Sequence, residues 1–248
     1  MDKINVLGVS FDNVTPVQAV SAALAADNSA FVVTPNPEIV WLARTNSELR
    51  EAISNAELVL ADGIGIIYGA KILGTPLVGR VTGMDFVALT MERLAERGGS
   101  AFLLGSKPRD GARISVAEMA ARQLKSKYKG LRIAGTRDGY FKDEETDEIV
   151  AAINESKPDL LLVCLGAPKQ ELWAYRNRER LNVPLIACLG GALDVWAGTV
   201  KRAPRIFQRL GLEWLYRLIK QPSRLRRMMS LPKFLFAVIG AKISGKNR

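Results

Sequence analysis

Histidine is absent from all 248 positions, which removes the commonest general base and the commonest metal ligand. Neither a Ser-His-Asp triad nor a Cys-His pair can be assembled from this chain. Cysteine is scarce: Cys164 and Cys188 lie inside apolar runs without CxxC spacing, so they read as small buried residues of a protein kept in a reducing cytoplasm. There is no DxD pair and no Cys/His cluster, so only scattered carboxylates remain as donors for a metal, and none is expected. The phosphate-loop pattern GxxxxGK[ST] is missing, and Gly63, Gly65 and Gly69 miss the GxGxxG spacing by one residue, so the dinucleotide fingerprint fails too. The longest strongly apolar stretch, Phe234 to Ala241, falls far short of the ~20 residues that cross a bilayer. Met1-Asp2-Lys3 does not open with a signal peptide's basic-then-apolar layout.

What is present is an alternation of two periods. Short apolar runs at Asn5–Val9, Ala30–Thr34, Leu58–Ala61, Ala101–Gly105, Leu131–Ala134, Asp159–Leu165 and Pro184–Leu189 suit strands, several of them buried on both faces. Helical patterns fall between them, near 16–26, 37–54, 64–73, 83–97, 109–127, 144–156 and 169–181. The expected fold is α/β, a mostly parallel Rossmann-like sheet with helices on both faces, plus a C-terminal helical appendage. The expected division is a catalytic α/β domain over 1–200 and an amphipathic appendage over 201–248.

Charge supports that division. Residues 201–248 hold 13 of the 35 Lys and Arg and a single acid, Glu213, while the first 200 residues hold 22 basic and 24 acidic side chains. The formal +10 therefore belongs to the tail. Ile206, Phe207, Leu210, Trp214, Leu215 and Leu218 recur at helical spacing, with Arg205, Arg209 and Arg217 mainly beside or opposite them. Pro222 should break this helix and Ser223 cap a second. A basic helix with Trp, Phe and Leu on its other face suits the headgroup boundary of an anionic membrane. The alternatives are a pair of helices closing the core, or a nucleic-acid arm, which would need far fewer large aliphatics. The favoured expectation is a peripheral protein on the cytoplasmic face of the membrane, with no nucleic-acid partner.

Ligands of open α/β sheets bind at the carboxyl ends of the strands, and the polar, glycine-rich segments of this chain fall there. Asp62 ends the run Leu58-Val59-Leu60-Ala61, and Gly63 and Gly65 follow. With histidine absent, a carboxylate must supply any base, and an apolar approach raises its pKa in the useful direction. Asp62 has an equal claim to the N-cap of a helix starting near Ile64. Gly166-Ala167-Pro168-Lys169-Gln170-Glu171 is either a helix start whose amides and Lys169 face a phosphate, or an ordinary solvated turn. Asp194, after Gly190-Gly191, either accepts hydrogen bonds from a base or ribose or caps a helix; Arg80, after Gly79, is a phosphate clamp or a surface charge.

Several segments in series resemble one family. Thr34-Pro35-Asn36-Pro37-Glu38, Ala61-Asp62-Gly63 with Gly65, Arg80-Val81-Thr82-Gly83-Met84-Asp85, Gly139-Tyr140-Phe141, Gly166 to Glu171, and Lys201-Arg202-Ala203-Pro204 through Gly211 to Arg217 are similar, in order, to the WecG/TagA/CpsF glycosyltransferases. The resemblance spans nearly the whole chain. It implies a UDP-sugar donor, an undecaprenyl-diphosphate-linked acceptor and inverting chemistry without metal or other cofactor, with N-acetylmannosamine transfer in teichoic acid synthesis the best-known case. By the same resemblance Asp62 is the general base, Thr34 and Asn36 line its pocket, and Arg80 binds substrate. Tyr140, Gln170 and Asp194 contact the UDP moiety, and Arg217, Arg224 and Arg227 close over the lipid diphosphate. Two rival classes are a nucleotide-binding oxidoreductase, which the glycine spacing disfavours, and a non-enzymatic membrane or nucleic-acid adaptor, which leaves the polar strand exits unexplained. The donor sugar, the polysaccharide pathway and the oligomeric state, a homo-oligomer included, stay open.

Overall fold

Six of the apolar runs lie side by side in the computed structural model, which describes residues 1–26, 29–108 and 114–245. In chain order the strands are β1 (Lys3–Val6), β2 (Val9–Asp12), β3 (Ala30–Val33), β4 (Leu58–Val59), β5 (Ser100–Gly105), β6 (Arg132–Arg137), β7 (Leu160–Cys164) and β8 (Leu185–Cys188). Strands β3 to β8 form one sheet in the order β4-β3-β8-β7-β5-β6, and each pair is parallel. Every residue of β3, β5, β7 and β8 is buried, as expected of strands covered on both sides.

The run Asn5–Val9 is not one strand. Leu7 and Gly8 both take positive φ, 53° and 87°, which reverses the chain in a two-residue turn and makes β1 and β2 an antiparallel hairpin outside the main sheet. The hairpin is tied on through Asp12, whose Oδ2 accepts the Val59 amide at 2.8 Å.

Helices cover both faces. They are α1 (Pro16–Leu24), α2 (Pro37–Ala43), α3 (Ser47–Ser54), α4 (Ile64–Leu73), α5 (Gly83–Glu96), α6 (Val116–Lys127), α7 (Thr146–Ser156), α8 (Lys169–Asn177) and α9 (Ala192–Trp196). The pattern over 37–54 is two helices, because the Asn46 side chain accepts the Leu49 amide and caps a new start. Of the pattern expected over 109–127, residues 109–113 lie outside the described residues; α6 starts after a capping box between Ser115 and Glu118. Helices α2, α3, α4, α7 and α8 pack on one face around Phe31, Ile186 and Trp173, and α1, α5, α6 and α9 on the other around Phe86, Met91 and Leu103.

This distribution positions the site. The chain leaves β5 through α6 on one face and β7 through α8 on the other. Adjacent connections diverging to opposite faces open a crevice at the carboxyl ends of those strands.

The tail continues as α10 (Arg205–Arg209), α11 (Glu213–Lys220), α12 (Leu225–Met228) and α13 (Ser230–Ser244). Two sequence expectations are corrected. The single helix drawn through Ile206 to Leu218 is interrupted at Gly211, whose φ is 70°. Ser223 lies in a single 3-10 turn, and no side chain caps α12 or α13. Lys246 and Arg248 lie outside the described residues. Helix α13 packs on α2 and α4, burying Phe234 and Val238 in the core while Phe236 and Ile243 stay exposed. Among the described residues no helix is long and apolar enough to cross a membrane.

Candidate active site

The exits of β3 and β4 interlock. Asn36 caps α2, its Oδ1 accepting the amides of Glu38 at 2.9 Å and Ile39 at 3.1 Å, and Pro37 fills the first helical position. The Pro37 ring lies against Gly63 and Gly65: a Cβ on Gly65 would stand 2.6 Å from Pro37 Cγ. Gly63 has φ +93° and supplies no side-chain cap to α4, so neither it nor Asp62 plays the capping part that the sequence left open.

Asp62 turns instead to the start of α5. Its carboxyl accepts the Gly83 amide, and burial drives its pKa from 3.8 up to about 6. Desolvation dominates, because protein crowds the carboxyl although the residue keeps some access to the cleft. Arg217 and Arg80 pull against that rise, Glu213 adds to it, and the Gly83 hydrogen bond opposes it. A carboxyl so placed is half-ionised at about pH 6, so at neutral pH it is mostly in the form that accepts a proton and close to the range in which a general base works best. Thr34 is buried beside it and donates from Oγ1 to the Cys188 carbonyl at 3.2 Å.

The tail forms the opposite wall. A cleft of about 650 Å³ is lined by Thr34, Asn36, Asp62, Arg80 and Gly166 from the body and by Trp214, Arg217, Arg224, Arg227, Met228 and Leu235 from the tail. Arg80 Nη2 meets Glu213 Oε1 at 2.9 Å, and Arg227 Nε meets Glu38 Oε1 at 2.7 Å. Arg224 donates to Gln221 Oε1. Its pKa is lowered by burial and by the like charges of Arg217 and Arg227, with Glu38 and Asp194 opposing. Like charges gathered at a cleft attract an anion to fill it.

At the exits of β7 and β8 one amide side chain holds two turns. Gln170, buried on α8, accepts the Gly190 amide at 2.7 Å and the Gly166 amide at 3.2 Å through Oε1. Its Nε2 donates to Glu171 Oε1 at 2.8 Å. Glu171 is buried, its Oε2 has no partner, and burial lifts its pKa to about 7. Cys188 donates to the Gln170 carbonyl; both cysteines are free and buried, and burial raises both thiols. Across the crevice Ser106 donates to Asp194 Oδ2 at 3.1 Å.

The structure thus brings Thr34, Asn36, Asp62, Arg80, Gly166, Gln170, Arg217, Arg224 and Arg227 to one cleft. Three residues stand apart from its lining. Asp194 sits at the mouth between β5 and β7. Tyr140 is exposed, and Lys169 donates to the Gly139 carbonyl at 3.3 Å while its ammonium lies over the Phe141 ring. Arg80 is not a free surface charge but is held by Glu213. Sequence reasoning missed the acids: Glu38 and Glu213 counter the arginines, and Glu171 orients Gln170. Glu213 carried a visible signal as the only acid in a basic tail; Glu171 looked like any solvated helix residue. Among the described residues no group of three His, Cys, Asp or Glu side chains is placed to hold a metal ion.

A sequence model of the Glycosyl transferase WecG/TagA/CpsF family matches residues 4–248. The chain belongs to this family. Its glycosyltransferase relatives include a Bacillus spizizenii protein, 38% identical over 216 residues that cover 87% of this chain and 81% of the relative. A Staphylococcus aureus (strain MW2) protein is 35% identical over 245 residues, 97% of this chain and 93% of the relative. Both are named N-acetylglucosaminyldiphosphoundecaprenol N-acetyl-beta-D-mannosaminyltransferase.

Proposed function

We propose that this enzyme transfers N-acetylmannosamine from its UDP-sugar to undecaprenyl-diphosphate-linked N-acetylglucosamine, with inversion and without a metal ion. The observation that carries the reading is Asp62, a carboxyl with a pKa near 6 at the base of a cleft rimmed by arginines from both body and tail. The relatives' names supply the sugars.

The reaction is a single displacement. Asp62 takes the proton of the acceptor hydroxyl as its oxygen bonds to the anomeric carbon, and the bond to UDP breaks with its electron pair leaving on the diphosphate. Charge grows on the leaving group, so cationic groups fixed beforehand stabilise the transition state more than the ground state. Arg80 serves substrate phosphate beside Asp62, and Arg217, Arg224 and Arg227 hold the lipid diphosphate. Thr34 and Asn36 shape the pocket around the base. The uridine side lies toward the crevice between β5 and β7, with Asp194, Tyr140 and Lys169 at its edge. Gln170 is buried, and its oxygen and one N–H are engaged inside the protein, so it serves the nucleotide by holding the Gly166 and Gly190 turns in place.

The segment 201–248 acts as an appendage to the 1–200 body. Its exposed Ile206, Leu210, Ile219, Leu225, Phe236 and Ile243, set among 13 basic residues, suit an anionic membrane surface where each basic residue adds roughly 1 kcal/mol. A panel of UDP-sugars assayed with a lipid-diphosphate N-acetylglucosamine acceptor, with and without excess EDTA, tests the reading. Turnover confined to another donor would overturn the sugar assignment; activity lost in EDTA and restored by magnesium would overturn the metal-free one.

A further inference from the structure

Within residues 201–248 a single carboxylate side chain, Glu213, stands among 13 cations. Chance placement would leave it on the solvated side of its helix. It points into the cleft instead, and its side chain and that of Arg80 are only 18% and 19% exposed. A pair so enclosed is screened far less than a surface salt bridge, whose worth is close to nothing.

Arg80 lies in the loop before α5, yet its hydrogen-bond partners come from the tail. Nη2 donates to Glu213 Oε1 at 2.9 Å and to the Gln208 carbonyl at 3.4 Å. A guanidinium has five N–H donors in a rigid plane, and both contacts fall on one nitrogen, so fixing that edge aims the rest of the plane. The charges facing Asp62 are Arg217 and Glu213 from α11 and Arg80 from the loop, with the Gly83 amide from α5.

We infer that Glu213 is a positioning residue for transfer at Asp62: the tail delivers one carboxylate that fixes Arg80 and keeps the two arginines from pairing with the base. Without it Arg80 is free to turn toward Asp62, whose charge it already faces, and the ionised form of Asp62 is then over-stabilised and its basicity falls. The body alone therefore carries an unfinished site, and docking of α11 supplies both the diphosphate-binding arginine and the acid that balances it. This inference rests on the reading of Asp62 as the base.

The test is kcat, KM and the pH dependence of kcat for Glu213→Gln, Glu213→Asp, Arg80→Gln, the double variant Arg80→Gln/Glu213→Gln, and Asp62→Asn, each checked by thermal melting. Glu213→Gln should lower kcat by about 10- to 100-fold, the scale of a misplaced catalytic group, with KM nearly unchanged. Its acidic limb should move to lower pH, because the charge that raises Asp62 is gone. Glu213→Asp should bring the limb back to the wild-type position with intermediate kcat. The double variant should be no worse than the poorer single, as expected of residues acting as a unit. Wild-type kcat and an unmoved limb in Glu213→Gln, with Asp62→Asn inactive, would overturn this inference and leave the base intact. Equal losses in Glu213→Gln and Glu213→Asp without a limb shift would reduce Glu213 to a docking contact and also overturn it. Retained turnover in Asp62→Asn would remove the base, and this inference with it.

Discussion

Replacing Asp62 with Asn should make the protein inactive and more stable at once. In the folded state Asp62 titrates at about 6, against 3.8 for an unhindered Asp. The folded protein therefore binds this proton more tightly than the unfolded chain does. Asp62 favours folding below 3.8, and that contribution is lost as pH rises through about 6. At about 1.4 kcal/mol per pH unit, the ionised carboxyl costs the fold about 3 kcal/mol at neutral pH. Asn removes that cost and keeps an oxygen for the Gly83 amide, but it adds an NH2 group that needs a partner, so a gain of about 1–3 kcal/mol is expected. For a chain of this length each kcal/mol moves Tm by roughly 3 °C. The assay is thermal melting of both proteins across pH, beside turnover. Asn should raise Tm by several degrees at neutral pH, converge with wild type below 3.8, and lower kcat by about 10²–10⁴. A Tm difference that is absent at neutral pH, or that does not change with pH, would refute the claim that Asp62 is a desolvated base. Stability given up at a working residue is a common exchange.

Gly65→Ala adds a Cβ that meets the Pro37 ring at 2.6 Å; the ring cannot swing aside, so a loss of about 1–3 kcal/mol should outweigh the ~1 kcal/mol a helical Gly→Ala change gains, as urea unfolding would register. Phe234→Ala empties a buried position between α13 and Gly69 of α4 and should cost about 3–5 kcal/mol, read as a drop in Tm with loss of transfer. Arg217→Glu should cut transfer far more than it cuts co-sedimentation with anionic vesicles, because many basic residues share docking while Arg217 faces Asp62; parallel losses in the two assays would place Arg217 in docking alone.

The sheet was legible because its central strands are continuously apolar, and the strand exits were legible because glycine and proline cluster there. What misled was any feature decided by one backbone angle. Leu7 has no turn chemistry of its own, and its positive φ turned an expected strand into a hairpin. Asn46 read as one polar residue within a helical period, whereas its side chain starts a second helix. The reading of the tail offered membrane contact and core closure as rivals, yet α13 buries Phe234 and Val238 while exposing Phe236 and Ile243. Cations were legible as a patch, but their partners were not. Pairing Arg227 with Glu38 joins residues 189 apart in the chain, and no local pattern encodes such a distance.

The packing of Pro37 against Gly63 and Gly65 has a bearing on how the enzyme tolerates its surroundings. The loop that carries Asp62 is wedged by contact between hydrocarbon and bare backbone, a fit that salt does not screen and protons do not alter. Across the cleft Arg227 is held by its ion pair with Glu38, in which the arginine is half exposed, so salt weakens it and anionic lipid competes for it. The base is therefore mounted on a dry bearing while Arg227, on the facing wall, rides on a wet one. Ionic strength and membrane composition can retune how tightly the cleft grips a diphosphate without moving the atom that takes the proton.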